Sequence, residues 1–284
     1  MSINVIQVPA SEGIQWLKRA WAITRTNPLA VHAGMFSYLL LVVITGIVPV
    51  LGQFLPLVAV PVLYVGLMSI YRAVARKEPL SVKLIFSGLS PTPVAVSLLI
   101  MGVIYAVAIL GIFAATSLVD GGLLMRVIMG EETLDPKTVD QSLLTTSAAF
   151  ALLLYVPVSW LFWMAPQFVA WHGMGVGKAL FYSLVGCWRN LGAFTLFFAT
   201  AGGLLLTAAL TVSLIGMLLG GAAVAQTLML PLTLLFGVVV YVAFYASYES
   251  MVRENAPPPL PETPQSRLDS ADKAPAPPPD SPNS

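Results

Sequence analysis

Two runs of sequence without a charged residue constrain this chain more than any other feature. Residues 26–71 make a run of 46, and residues 190–248 a run of 59. A hydrocarbon layer about 30 Å thick needs roughly 20 apolar residues to be crossed by a helix. Each run is therefore read as two spans joined by a tight turn. The first turns around Pro49, Val50, Leu51, Gly52 and Gln53, and the second at Gly216, Gly220 and Gly221. Spans of about 28–48, 54–73, 191–215 and 222–248 follow. Ser90-Pro91 starts another helix over about 92–119, and one more runs over about 143–168. Within lipid every backbone group must find its partner inside the segment, so these spans are helices. Composition agrees: 57% of residues are hydrophobic and 10% charged, against about 25% charged in ordinary domains. The mean hydropathy is +0.85. A water-soluble fold of this size would lack the polar residues to cover itself.

The expected fold is all-α and polytopic, with six transmembrane helices arranged as three hairpins. A short amphipathic segment precedes each hairpin. In the first, Ile14, Leu17 and Trp21 share a face while Lys18, Arg19 and Arg25 carry charge. With Trp16 and Trp21 at headgroup depth it reads as an interfacial helix, or as one packed under the bundle. Val82, Ile85, Phe86 and Leu89 give the second segment, and Val176, Leu180, Leu184 and Trp188 the third. Three divisions result: a cytosolic segment 1–27, a membrane domain 28–253 and a tail 254–284. The tail holds ten prolines between residues 255 and 284 and cannot bury a core, so disorder is expected there.

Charge sets the expected orientation. With the N-terminus, the 72–83 loop, residues 172–189 and the tail on one side, twelve of fourteen Lys and Arg residues lie together. Only Arg126 and Lys137 fall opposite, in an acidic connection over 120–141. The positive-inside rule makes the first side cytosolic, with both termini inside. Nothing at the N-terminus resembles a cleavable signal, so the first span would direct insertion.

The three segment-plus-hairpin units can be superposed as parallel repeats. Leu17, Leu80 and Leu180 align, as do Trp21, Leu84 and Leu184. Thr24, Ser87 and Cys187 follow, and Asn27, Ser90 and Asn190 then stand as caps before the spans, as Ser11 does before the first segment. Interior prolines mark the even-numbered spans.

No catalytic constellation is evident. The cores of the six spans carry no Asp, Glu, Lys or Arg, the groups on which proton- or ion-coupled transport and acid–base catalysis depend. One cysteine, Cys187, excludes an internal disulfide, and two histidines, His32 and His172, cannot form a metal site alone. Cys187 beside Arg189 is a candidate thiolate, with a small packing residue as the plainer reading. The glycines at 173, 175 and 177 before Lys178 lack phosphate-loop spacing, and the Ala201-Gly202-Gly203 and Gly220-Gly221 clusters suggest close helix packing. No cofactor is expected, and the net charge of +1 argues against nucleic acid.

The candidate lipid or partner interface comprises Trp16, Lys18, Arg19, Trp21, Arg25, Lys83, Trp171, Lys178, Trp188 and Arg189. Such cations at a membrane surface are each worth about 1 kcal/mol against anionic head groups. His32, Gln53, Gln167 and Gln226 are the candidate polar groups of any cavity between the proline-containing spans.

VPASEGIQWLKRAW near the N-terminus and FWMAPQFVAWHGMGVGKALFYSLVGCWRNLGAF over 162–194 resemble an uncharacterised family of multi-span proteobacterial inner-membrane proteins, frequent in betaproteobacteria. The resemblance spans about residues 7–250. It implies a helical membrane protein and transfers no catalytic role, nominating Pro166, Trp171, Lys178, Cys187, Trp188, Arg189 and Asn190 for mutation. The reading of the sequence is a non-enzymatic inner-membrane protein that binds lipid or a protein partner at the cytosolic face. A permease for a neutral or apolar solute is the alternative.

Overall fold

The computed structural model describes residues 3–49, 51–52, 54–129 and 141–254. Gln53, residues 130–140 of the acidic connection and the proline-rich tail from 255 lie outside them. The described chain runs α1 (Glu12–Thr26), α2 (Pro28–Gly46), α3 (Leu55–Arg76), a 3₁₀ helix (Val82–Leu89), α4 (Thr92–Asp120) and α5 (Leu123–Ile128). It continues through α6 (Gln141–Phe162), α7 (Ala165–His172), α8 (Val176–Arg189), α9 (Leu191–Gly220) and α10 (Ala222–Met251). Two strands, β1 (Ile3–Val5) and β2 (Val252–Glu254), pair antiparallel with Val5 opposite Val252.

The protein is an all-α polytopic membrane protein with six helices long and apolar enough to cross a bilayer: α2, α3, α4, α6 with α7, α9 and α10. Their outer surfaces are rows of exposed aliphatic residues, such as Leu206, Leu210 and Leu214 on α9. Such rows are stable only against hydrocarbon. At the end of α9, Gly221 takes a φ of +81° and turns the chain into α10.

The fourth span is broken. Pro166 cannot supply the amide that would continue the helix, and α6 ends at Phe162. The fully buried Ser183 of α8 repairs the gap. Its hydroxyl accepts from the Met164 amide at 2.9 Å and donates to the Trp160 carbonyl at 2.7 Å. Those groups would otherwise have been satisfied by a helical bond, and lipid offers neither a substitute.

The short segments bind the hairpins together. α2 packs on α3, α4 on α6, and α9 on α10; the 3₁₀ helix lies on α3, α8 on α6 and α7, and α1 on α10 and α9. Each segment thus leans on the second span of the hairpin before it. α1, the first of the three segments, packs on the last hairpin and closes a ring. α3 lies deepest, burying Leu63, Val65, Leu67, Met68 and Tyr71.

The caps differ from expectation. Asn27 does cap α2, accepting from the Ala30 amide at 3.1 Å. Ser11 makes no side-chain cap, and Pro91 rather than Ser90 occupies the position before α4. Asn190 precedes α9 but spends its side chain elsewhere. It accepts from the Val8 amide at 2.8 Å and donates to the carbonyls of Ile6 at 3.1 Å and Gly186 at 2.8 Å. It is a clasp holding the extended N-terminal segment to the end of α8. Asn190→Ala removes three hydrogen bonds, each worth about 1 kcal/mol net, and orphans a backbone amide. A loss of roughly 3 kcal/mol is expected in a detergent melt; a change within about 0.5 kcal/mol would refute the clasp.

The two glycine clusters part from each other. Gly202 and Gly203 meet no neighbour and face outward, whereas Gly216 abuts the backbone of Ala225. Of the two clusters expected to pack closely, Gly220-Gly221 at the α9–α10 turn does so, a Cβ on Gly220 falling 2.5 Å from Val224, and Ala201-Gly202-Gly203 does not.

Candidate functional site

The six spans do not fill the space between them. A cavity of about 740 Å³ lies in the membrane-spanning region, with walls from α2, α3, α4, α6, α9 and α10. Its size is within the roughly 300–1,000 Å³ of small-molecule sites. Five tyrosines line it: Tyr38, Tyr64, Tyr105, Tyr155 and Tyr241. Their hydroxyls interact in two pairs, Tyr38 with Tyr241 and Tyr105 with Tyr155. Ser159 and Thr195 add two further hydroxyls; the remaining wall is aromatic and aliphatic, with Trp160, Trp163, Phe194 and Phe244 prominent. No carboxylate, amine, guanidinium or imidazole is among the lining residues. The chemistry on offer is hydroxyl hydrogen bonding at a few points on an apolar, π-rich surface.

Packing shows where the cavity opens. α6 is held by α4 and α8, and α9 by α10 and α1; among the described residues α6 and α9 form no helix–helix interface, and the Trp163 ring just past α6 meets Phe194 and Phe198 of α9 at one end of the gap. Leu152 and Tyr155 on one side, and Phe198 on the other, line the cavity and are also exposed on the outer surface. The opening is thus lateral, at the depth of the spans.

Pro61 and Pro166, from two of the even-numbered spans, line the cavity. The polar groups nominated from sequence do not. Gln167 is fully buried on α7 without a hydrogen bond of ordinary geometry, its polar neighbour being the Tyr64 hydroxyl, so it backs the wall. His32 is occupied by the Pro28 carbonyl at 2.7 Å near the start of α2. Gln226 is exposed, and Gln53 lies outside the described residues.

The expected interfacial residues divide. Lys18, Arg19, Trp21 and Arg25 are exposed on α1, with Arg19 paired to Glu12 at 2.7 Å. Lys83, Lys178, Trp188 and Arg189 are exposed as well, and Lys178 lies 5.6 Å from the Tyr182 ring. Trp16 does not belong with them. Its exposure is 0%, its indole donates to Ser250 Oγ at 2.7 Å, and its ring meets Phe194 edge-on at 5.1 Å. The reason is that α1 lies between α9 and α10, which turns the indole inward. Cys187 is likewise buried, and burial pushes its thiol up; this favours the packing role over a thiolate.

Trp171 occupies a second, smaller recess of about 260 Å³ at the end of the bundle where α3 and α10 finish. Arg72, Arg76 and Arg253 surround it with Tyr245, Tyr248 and Glu249. Arg72 lies over the Trp171 ring at 4.9 Å, and the ring meets Tyr248 edge-on at 5.0 Å.

Sequence reasoning missed both the tyrosines and this recess. A signal for the first was available: tyrosine favours the membrane–water interface, yet Tyr38, Tyr64 and Tyr105 fall well inside spans. None was available for the second, because Arg72 and Arg253 are 181 positions apart.

No family model matches the chain, and no solved structure matches it. It is 36% identical over 267 residues to a probable inner membrane protein of Burkholderia thailandensis, covering 92% of this chain and 99% of that protein. At that identity and coverage, the chain belongs to the same family of multi-pass inner-membrane proteins as the Burkholderia protein.

Proposed function

We propose that this protein binds a neutral, mostly apolar molecule, of which a lipid acyl chain is the type, in the tyrosine-lined cavity, and that it does so without catalysing a reaction. The observation that carries the proposal is the lateral opening between α6 and α9. A pocket that opens sideways at the depth of the spans is filled from the bilayer rather than from water. Its lining suits such a guest: aromatic and aliphatic walls for the chain, and paired tyrosine hydroxyls for an ester or hydroxyl group. The absence of charge among the lining residues disfavours an ionic ligand, whose desolvation would go uncompensated. The excess of exposed cations on α1 and α8 supports assigning that face to the cytosol and to the neighbourhood of anionic lipid.

A permease reading draws on the same cavity, since Pro61 and Pro166 contribute to its wall and broken helices can bend. It requires a second opening at another time, and solute flux in proteoliposomes measures it directly.

The binding reading is tested with a photo-crosslinkable lipid carrying a diazirine in its acyl chain, applied to the protein in nanodiscs. Crosslinks are expected to concentrate on residues 152–163 and 191–198, and Ser159→Trp, which fills the cavity, should reduce them several-fold. Labelling spread evenly over the outer faces of all six spans, or unchanged by Ser159→Trp in a variant of normal melting temperature, would overturn it.

A further inference from the structure

The recess formed by Arg72, Arg76 and Arg253 is independent of the cavity. Along α3, Arg72 lies eight residues beyond Tyr64, about 12 Å of helix axis, and no residue lines both spaces. Cations at helix ends are ordinary in a membrane protein, because topology alone requires them. Three features separate these from the rest. First, they converge: two come from the last two turns of α3 and one from β2, on a single concave surface. Lys18, Arg25, Lys83 and Arg189 stand exposed on the outer faces and line neither space. Second, none of the three makes an ion pair among the described residues. The one ion pair among the described residues is Arg19 with Glu12, and Glu249, the sole carboxylate at the recess, accepts instead from the Tyr245 hydroxyl at 3.1 Å. Third, they are held. The Arg72 guanidinium rests on Trp171, Arg76 neighbours the Tyr245 hydroxyl, and β2 is tied to β1. Behind them Tyr248 is fixed by a 2.6 Å hydrogen bond with His172.

Three guanidinium groups against one carboxylate leave two positive charges facing a space of about 260 Å³. All three are arginine, whose planar fork matches the paired oxygens of phosphate, where lysine offers a point charge. We propose that this recess is a binding site for a phosphomonoester dianion, with Arg72, Arg76 and Arg253 as its ligands and Trp171 as the platform that orients Arg72. Phosphate esters of this charge occur both as lipid head groups and as soluble metabolites; the chemistry of the recess is the same for each.

The test uses the full chain in phosphatidylcholine nanodiscs. Inorganic phosphate is titrated calorimetrically against sodium chloride and sodium sulfate at equal ionic strength. In a parallel series phosphatidic acid is included in the nanodisc, and its retention through mild-detergent extraction is read by native mass spectrometry. Binding of inorganic phosphate in preference to both control salts identifies a soluble ligand. Retention of phosphatidic acid alone identifies a lipid head group; either supports the proposal. Arg72→Gln, Arg76→Gln and Arg253→Gln should each weaken the observed binding about tenfold or more, while Lys77→Gln and Arg126→Gln, exposed residues that line neither space, change it less than twofold. Arg76 and Arg253 are exposed, so their variants fold even if Arg72→Gln does not. Binding of neither probe above the control salts, or equal losses in the recess and control variants, would overturn it. The acyl-chain crosslinks of the preceding test are unaffected by these variants, so the two proposals fail separately.

Discussion

Replacing Gly66 by valine should prevent the folded protein from accumulating. Gly66 is on the deepest helix, α3, where the 3₁₀ helix crosses it, and a Cβ there would fall on the Ile85 carbonyl oxygen, with the Ile85 Cα at 3.0 Å. The contact is reciprocal. A Cβ on Gly88 of the 3₁₀ helix would fall on the Val62 carbonyl oxygen, with the Val62 Cα at 3.2 Å. Backbone meets backbone on both sides, so no side chain can swing away to make room. Close approach of this kind is how helices associate in lipid, where the hydrophobic effect gives them no reason to do so. The Ser87 hydroxyl donates to Ser69 at 2.9 Å beside the same crossing, and separation would break that bond too. Overpacking a well-ordered core costs typically 1–3 kcal/mol. Gly66→Ala should reach the upper end of that range, and Gly66→Val should exceed it. Gly237 on α10 is the control: it has nothing within 4 Å of its Cβ position, and Gly237→Ala should gain up to about 1 kcal/mol from helix propensity. Detergent melts of the three variants decide the matter. A Gly66→Val protein that expresses and melts like the parent would show that α3 and the 3₁₀ helix do not touch as described.

How much of this was legible in the sequence follows from which forces act locally. The spans were legible because lipid demands an uncharged, internally bonded segment of fixed length, a condition written into consecutive residues. The break before Pro166 was half legible: the missing amide is local, but its remedy, Ser183, lies in another helix. Which face of each span turns inward was not legible. α2, α4, α9 and α10 are apolar all round, so periodicity gives no direction, and the tyrosines that meet in the cavity come from five different helices. β1 was missed because three residues carry no pattern, and their partner lies some 250 positions away. Gly202 and Gly66 look alike in sequence; one faces outward and the other receives a backbone.

Trp16→Ala should cost about 3–5 kcal/mol, the usual range for truncating a buried aromatic, while Trp21→Ala should fall within about 0.5 kcal/mol of the parent. Both tryptophans sit on one amphipathic segment among basic residues, and from sequence both read as anchors at headgroup depth. In the structure they part: Trp21 is 56% exposed and Trp16 is 0%. The Trp16 ring lies 5.1 Å from Phe194 and 5.8 Å from Phe197, and its indole bonds Ser250. It joins α1 to both helices of the last hairpin. Three residues earlier Gly13 has no room for a Cβ, which would fall on the Ala193 carbonyl oxygen and 2.7 Å from the Phe197 nitrogen. Trp16→Phe keeps the ring contacts but loses the hydrogen bond to Ser250, and should therefore lie between the two alanine variants. Loss of Trp16 should also be local in effect. Hydrogen exchange should rise first in residues 12–26 and in the β1–β2 pair, with the spans still protected, because α1 carries the closure of the ring while the hairpins hold themselves. Equal effects of Trp16→Ala and Trp21→Ala would return α1 to the membrane surface; unequal effects make it the element by which the first unit grips the third.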